Sequence, residues 1–148
     1  MVKLIKIIIM PTYASHINPI SSNEEVVFGI LSNLNNLKKI ADNPAFSDKV
    51  KDLQYDADSC SFAVDAFGRV GFRIVERVPF KTIKLESENS PVPVTVCVQL
   101  KQITDNETQM KLSLDAELPS MIKMMVGNKL QDGVNAIAEL LAKSLNNK

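Results

Sequence analysis

Few side chains in this 148-residue sequence have the chemistry of a catalytic group. The strongest candidate is Glu76, because it falls in phase with Val70, Phe72, Ile74 and Val78 on one face of a predicted strand. A carboxylate that points into an apolar interior can orient a ligand or transfer a proton, since burial raises the pKa of a carboxyl group. The structural alternative is a bulge that turns Glu76 outward, or an ion pair with a neighbouring arginine.

The remaining reactive side chains have no partners at the spacing of a known motif. His16 is the single histidine, and no triad surrounds it in sequence, so we expect a surface or structural role. Cys60 and Cys97 lie far apart and match no zinc motif, so we expect two structural free thiols, with a disulfide as the alternative. Tyr13 and Tyr55 can each supply a phenol to a pocket.

Composition and motifs exclude several classes of function. The 17 basic residues equal the 17 acidic ones and are interspersed with them, which argues against a nucleic-acid partner. The sequence has no glycine-rich phosphate loop, no serine-hydrolase elbow and no paired-cysteine redox motif. We therefore expect no cofactor and no metal site.

The first nine residues differ from the rest of the sequence. Their apolar run is too short for a typical signal peptide and far too short to span a membrane. We interpret residues 1–9 as an appendage or an extra strand, and residues 10–148 as one domain. This interpretation predicts a cytoplasmic protein without stable membrane insertion.

Residues that favour helices follow one predicted strand, Thr12–Ile20. A serine N-cap at residues 21–22, with glutamates after it, predicts the start of a helix. A second short helix is expected over Leu37–Ala41, and Ala45–Leu53 fits either a helical turn or a loop.

The middle of the chain has a two-residue apolar period, which is typical of strands with one buried face. Short connections between these strands, such as a hairpin turn over residues 66–69, predict antiparallel neighbours. The predicted strands are Ser59–Asp65, Val70–Val78, Lys81–Glu88, Val92–Ile103 and Thr108–Leu118.

The chain then changes to a helical period from Pro119 to Leu145, with an expected interruption at Gly127-Asn128. Six strands make a sheet roughly 24 Å across, because strands lie about 4.8 Å apart. One helix covers only about 10–12 Å of that width. Because the sequence has no Trp and only six Phe, complete filling of the gap is unfavourable and a cavity is expected.

Methionines cluster where the final helix begins. Met121, Met124 and Met125 start the helical region, and Met110 lies on the preceding strand. Flexible, polarizable side chains suit a pocket that accepts several ligand shapes, although methionine also fills gaps in cores. We therefore expect the pocket near the start of this helix.

The order of elements and several segments resemble the START-like superfamily, also called SRPBCC. Thr12–Ile20, Ser22–Ser32 and Leu31–Leu37 are similar to its opening strand and helix pair, and Phe67–Pro79 is similar to its central hairpin. The resemblance implies an α+β helix-grip fold. In this fold a curved antiparallel sheet of about six to seven strands wraps around a long C-terminal helix, with two short helices after the first strand.

The superfamily includes lipid-transfer domains, hormone binders, polyketide cyclases and chaperone activators. The resemblance implies that a hydrophobic small molecule, lipid-like or polycyclic, binds between the sheet and the last helix without catalysis. The alternatives are a cyclase-like or aromatase-like enzyme that uses Glu76, His16 or a tyrosine, and a protein-interaction module with a filled core. The expected ligand-binding residues are Phe72, Ile74, Glu76, Val96, Val98, Met110, Leu112, Leu114, Met121, Met124, Met125 and Leu130.

Overall fold

The computed structural model of the protein describes residues 12–42, 44–47, 50–64, 68–89, 93–118 and 120–146. In these residues one antiparallel sheet lies against helices, which confirms the expected helix-grip architecture. The strands are β1 (Thr12–Ala14), β2 (Asn18–Ile20), β3 (Lys51–Tyr55), β4 (Ser59–Val64), β5 (Gly68–Val78), β6 (Thr82–Glu88), β7 (Val94–Thr104) and β8 (Glu107–Ala116). The α-helices are α1 (Glu24–Leu31), α2 (Lys38–Ala41), α3 (Pro44–Ser47) and α4 (Ser120–Asn146), and a 3-10 helix spans Leu34–Leu37.

The sheet is a meander from β3 to β8, and the N-terminal strands β1 and β2 add to its β8 edge. Its order is β1-β8-β7-β6-β5-β4-β3, and β2 also pairs with β8. The five strands predicted in the middle of the chain are present, and each pairs with its neighbour in sequence. Gly68 has a φ of 77°, as expected for the turn between β4 and β5, whereas residues 65–67 of that turn lie outside the described residues.

The first strand is divided at Ser15, so the prediction of one strand over Thr12–Ile20 was wrong. The backbone N of Ser15 donates to the carbonyl oxygen of Leu112 at 2.7 Å. The backbone N of Leu112 in turn donates to Ser15 Oγ at 2.9 Å. The serine hydroxyl thus takes the place of a backbone acceptor, and the chain leaves the sheet between β1 and β2.

Helix α1 begins one residue later than the sequence indicated. Its N-cap is Asn23, whose Oδ1 accepts from the backbone N of Val26 at 2.9 Å. An asparagine satisfies an otherwise unpaired backbone donor as well as the expected serine does. The short helix expected over Leu37–Ala41 is present as the 3-10 helix followed by α2.

Part of the segment expected to be a helical turn or a loop, Ala45–Leu53, forms strand β3. This strand is irregular, because Asp52 has a φ of 53° and the register with β4 shifts between Lys51 and Gln54. Arg69 stabilises the irregularity by donating to the carbonyl oxygen of Asp52 at 3.1 Å and to its Oδ2 at 2.7 Å. The bulge interrupts the alternation on which a strand prediction depends.

Helix α4 is continuous from Ser120 to Asn146, so the interruption expected at Gly127-Asn128 is absent. Its 27 residues extend about 40 Å at 1.5 Å per residue. Four side chains at helical spacing are buried against the sheet, namely Val134, Ala138, Ala142 and Leu145. They pack with sheet residues that include Ile20, Ile83, Val98, Leu100 and Met110 to form the hydrophobic core.

Candidate ligand-binding cavity

A cavity of about 600 Å³ lies between the sheet, the short helices and α4. This volume is within the range of about 300–1,000 Å³ that is usual for small-molecule sites. Most of its lining is aliphatic or aromatic. The described lining residues are Ile30, Leu31, Asn33, Leu34, Asn36, Leu37, Lys39, Val50, Leu53, Cys60, Phe62, Phe72, Ile83, Leu85, Val96, Val98, Leu112, Leu114, Val134, Ile137, Leu141, Ser144 and Leu145.

The sheet contributes its side of the cavity as two cross-strand rows. In one row, Val98 pairs with Ile83 on β6 and with Leu112 on β8. In the other row, Val96 pairs with Leu85 and with Leu114. Alternate residues of a strand point to the same face, so the alternation in β6, β7 and β8 brings all six side chains to the cavity.

Two phenylalanines extend this wall beyond β6. The Phe62 and Phe72 rings stack with their centroids 6.2 Å apart and their planes 21° from parallel. They lie on the neighbouring strands β4 and β5, where Cys60 is the cross-strand partner of Phe72. Rigid rings in contact with each other form a firm end to the cavity.

Helical side chains form the opposite wall. Val134, Ile137, Leu141 and Leu145 are three or four residues apart, which places them on one face of α4. Leu31 and Leu34 come from α1 and the 3-10 helix.

An arginine anchors these short helices to the sheet. The Arg77 guanidinium donates to the carbonyl oxygen of Ser32, which follows α1, at 3.0 Å. It also donates to Asp58 Oδ1 at 2.6 Å, in the turn before β4. One side chain therefore fixes the relative positions of α1, the β3–β4 turn and β5, and both α1 and β5 line the cavity.

Solved structures of other proteins share this architecture. Norcoclaurine synthase from Thalictrum flavum aligns over 98% of this chain and 92% of its own, with a TM-score of 0.71 and 11% sequence identity. A conserved protein from Geobacillus kaustophilus aligns over 91% of this chain and 95% of its own, with a TM-score of 0.65 and 16% identity. The Aha1 dimer from Colwellia psychrerythraea aligns over 93% of this chain and 98% of its own, with a TM-score of 0.63 and 17% identity.

This chain has the START-like, or SRPBCC-like, helix-grip fold. No protein-family profile matches its sequence, and no curated protein matches it by sequence. At these identities the likeness shows the START-like fold alone.

Five of the expected ligand-binding residues line the cavity of this START-like domain: Phe72, Val96, Val98, Leu112 and Leu114. Two others are core residues outside the described lining, since Ile74 is only 6% exposed and Met110 is fully buried. Leu130 is partly buried and is also outside the lining.

Glu76 is exposed and does not line the cavity, so its expected inward orientation was wrong. The cause is a bulge in β5 at Val75. Ile74 pairs with Leu85 and Glu76 pairs with Lys84, so two steps along β5 correspond to one along β6. The bulge reverses the faces beyond Ile74, which turns Glu76 outward, as the structural alternative proposed.

The methionines at the start of α4 are not part of the described lining. Met121 is 76% exposed and Met124 is 88% exposed, while the Met125 side chain lies outside the described part of the structure. The described α4 residues that line the cavity lie in its second half, from Val134 to Leu145. The expected location near the start of this helix stays a prediction, because the side chains of Ile122, Met125 and Val126 lie outside the described part of the structure.

The candidate proton carriers other than Glu76 also lie outside the described lining. His16 is exposed between β1 and β2, where its backbone N donates to Asn135 Oδ1 at 3.1 Å. Tyr13 packs against the core, and Tyr55 is half-buried on β3. No group of three metal-ligating side chains occurs in the described ranges, and none of the helices described there is long and apolar enough to cross a bilayer.

Cys60 is the one reactive side chain of the sequence analysis that does line the cavity. Both cysteines are free thiols, as expected. Burial raises the pKa of the Cys60 thiol from its ordinary value of 9.0 to about 11, and the charge of Asp56 adds to this increase. Since the thiolate is the nucleophilic form, Cys60 is a poor nucleophile near neutral pH.

The turn that precedes β4 positions Cys60. The Asp56 carboxylate accepts from the backbone N of Asp58 at 2.9 Å and of Ser59 at 2.8 Å. These hydrogen bonds hold the pKa of the Asp56 carboxyl below its usual value, because they stabilise the charged form.

Several cavity residues were not predicted as ligand-binding. Their apolar spacing was visible in sequence, since Ile83 and Leu85 alternate on β6 and the Leu31–Leu37 segment is leucine-rich. The missing information was which of these apolar side chains face the cavity and which face the packed core.

Proposed function

We propose that this protein binds a hydrophobic small molecule in the cavity between the sheet and α4, without catalysing a reaction. The observation that carries the proposal is the continuous apolar lining of a cavity large enough for a drug-sized molecule. Each methylene group of a ligand that moves from water into the cavity contributes about 0.8 kcal/mol to the binding free energy, so an apolar ligand of modest size can bind tightly.

An enzyme of the cyclase or aromatase kind is the second candidate function. The solved structures of norcoclaurine synthase include a complex with dopamine and hydroxybenzaldehyde. Two proton carriers expected for such chemistry here, Glu76 and His16, are exposed and outside the described lining. The apolar lining therefore supports binding over catalysis.

A protein-interaction module with a filled core is the third possibility. Its distinguishing property is the absence of an internal cavity. The cavity of about 600 Å³ beneath α4 argues against a protein-interaction module of this kind.

The first test is direct detection of a ligand. Native mass spectrometry of the purified protein is expected to reveal a co-purified apolar compound, and the neutral dye Nile red is expected to bind with enhanced fluorescence. A protein that carries no compound and binds no apolar probe would refute the proposal.

A substitution that fills the cavity locates the binding site. Val96→Phe adds a ring to the centre of the sheet wall and should weaken Nile red binding about ten-fold or more, because the ring occupies space that the dye needs and ten-fold corresponds to only about 1.4 kcal/mol. The matched control is Gln99→Phe, which adds the same ring to an exposed position of β7. Equal dye affinity in both variants would show that the dye binds elsewhere.

A further inference from the structure

The polar part of the cavity lining carries one cation and no anion. Its polar side chains are Asn33, Asn36, Lys39, Cys60 and Ser144, and no aspartate or glutamate is among the described lining residues. Asn33 and Lys39 are exposed although they line the cavity, so the cavity meets solvent beside them, and Ile137 on α4 is an exposed lining residue as well. Among the described lining residues, the one charge beside this opening is therefore positive.

We propose that the ligand is an amphipathic monoanion, with an apolar body inside the cavity and a carboxylate at the opening that pairs with Lys39. This inference rests on the proposed function and names the chemical class of its ligand. A single ammonium matches a single negative charge, which favours a carboxylate over a head group with several charges.

Lys39 has no competing partner among the residues that the structure describes. Arg69, Arg73, Arg77 and Lys81 each form an ion pair with an acidic side chain. Lys39 forms neither an ion pair nor a hydrogen bond in the same part of the chain. Its ammonium can therefore contact a ligand without breaking an existing interaction.

One of the two asparagines in the lining, Asn33, adds a second hydrogen-bond donor. Asn33 Oδ1 already accepts from the backbone N of Asn35 at 3.0 Å, so the amide group that Asn33 has left is its donor NH2. Asn36 uses its own NH2 to donate to the carbonyl oxygen of Ile30 at 2.8 Å, which fixes that side chain. The Asn33 amide caps the 3-10 helix and the Lys39 ammonium lies on α2, which follows it, and two such donors suit the two oxygens of a carboxylate.

A set of ligands that differ only in the head group tests this inference. Decanoic acid, decanol and decylamine are titrated against the Nile red complex at low ionic strength, below their aggregation limits. Decanoate is expected to bind about five-fold more tightly than decanol, which is the upper end for a partly exposed ion pair. Decylamine is expected to bind most weakly, because its ammonium meets Lys39 with no carboxylate beside it.

Variants of Lys39 separate the head group from the cavity. Lys39→Gln should remove the preference for decanoate over decanol, while Lys39→Glu should reverse the order of decanoate and decylamine. Lys38→Gln is the matched control, because Lys38 is exposed on the same helix and does not line the cavity. It should retain the preference of the wild-type protein.

The outcomes distinguish this inference from the proposed function. If decanoate and decanol bind equally well and Lys39→Gln changes neither affinity, the monoanion is wrong, while the apolar cavity remains a binding site. If Lys38→Gln abolishes the preference as Lys39→Gln does, the effect is one of net charge, and the pairing with Lys39 is wrong. If neither Nile red nor any of the three compounds binds, the proposed function itself fails.

Discussion

Two methionines that the sequence places in the same class are expected to respond in opposite ways to substitution. Met110 is fully buried at the centre of β8, where it pairs with Asn18 on β2 and Leu100 on β7. Met124 is 88% exposed on α4. Met110→Ala and Met124→Ala remove the same atoms, so any difference between them comes from the surroundings.

The expected cost of Met110→Ala is about 3 kcal/mol of unfolding free energy. Truncation of a buried Met, Leu or Ile to Ala typically costs roughly 2–5 kcal/mol, because lost burial adds to the cavity that remains. Met110 belongs in the middle of this range, since its side chain is completely buried but flexible neighbours can relax. In a domain of this length the change lowers Tm by roughly 6–12 °C. For Met124→Ala the expected change is within about 0.5 kcal/mol, as at other exposed sites.

Urea unfolding followed by circular dichroism measures both values, and a Nile red titration of the folded variants accompanies it. Neither substitution should change the dye affinity, because neither side chain lines the cavity. A loss below about 1 kcal/mol for Met110→Ala would contradict its place in the core. Weakened dye binding by Met124→Ala would contradict the location of the cavity along the second half of α4.

Two further predictions concern a buried hydroxyl and a buried thiol. Thr108 is fully buried and its Oγ1 donates to the carbonyl oxygen of Ser22 at 2.8 Å, so Thr108→Val should cost about 0.5–1.5 kcal/mol by removing this hydrogen bond. Urea unfolding checks this value, and a Thr108→Val variant as stable as the wild-type protein would contradict it. Because the pKa of Cys60 is raised to about 11, the folded protein keeps this proton after the unfolded chain has lost it, and stability should fall as pH rises from about 9 to about 11. Cys60→Val should reduce this pH dependence, and an unchanged profile would refute the assignment.

The sequence was sufficient for most of the fold, because the fold depends on periodicity. The uninterrupted alternation in β7 and β8 identified two long strands and the face of each that is buried. Prediction failed where a local hydrogen bond or a bulge interrupted the period. The Ser15 side chain divided the first strand, and the positive φ of Asp52 obscured β3.

The cavity was harder to predict than the sheet around it. Five wall residues followed from the alternation alone, but one bulge at Val75 was enough to turn Glu76 to the opposite face. The helix runs on through Gly127, where a break was expected, and it leaves Met121 and Met124 exposed. Periodicity identifies which apolar residues lie on the same face. Whether such a residue lines the cavity or packs in the core depends on the local distance between the helix and the sheet.

The pairing of β1 and β2 with β8 has a consequence for the time course of folding. Ser15 and Leu112, which hold this junction together, are 97 residues apart in the chain. Closing so large a loop is slow, because the chain loses conformational entropy before the stabilising contacts form. We therefore expect folding on the millisecond-to-second scale of other domains dominated by distant contacts. Until that junction closes and α4 docks, the apolar rows of β6, β7 and β8 remain open to water and to other chains. A ligand that binds only the closed form would shift this equilibrium toward it, so the supply of ligand would also govern how much of the protein is folded.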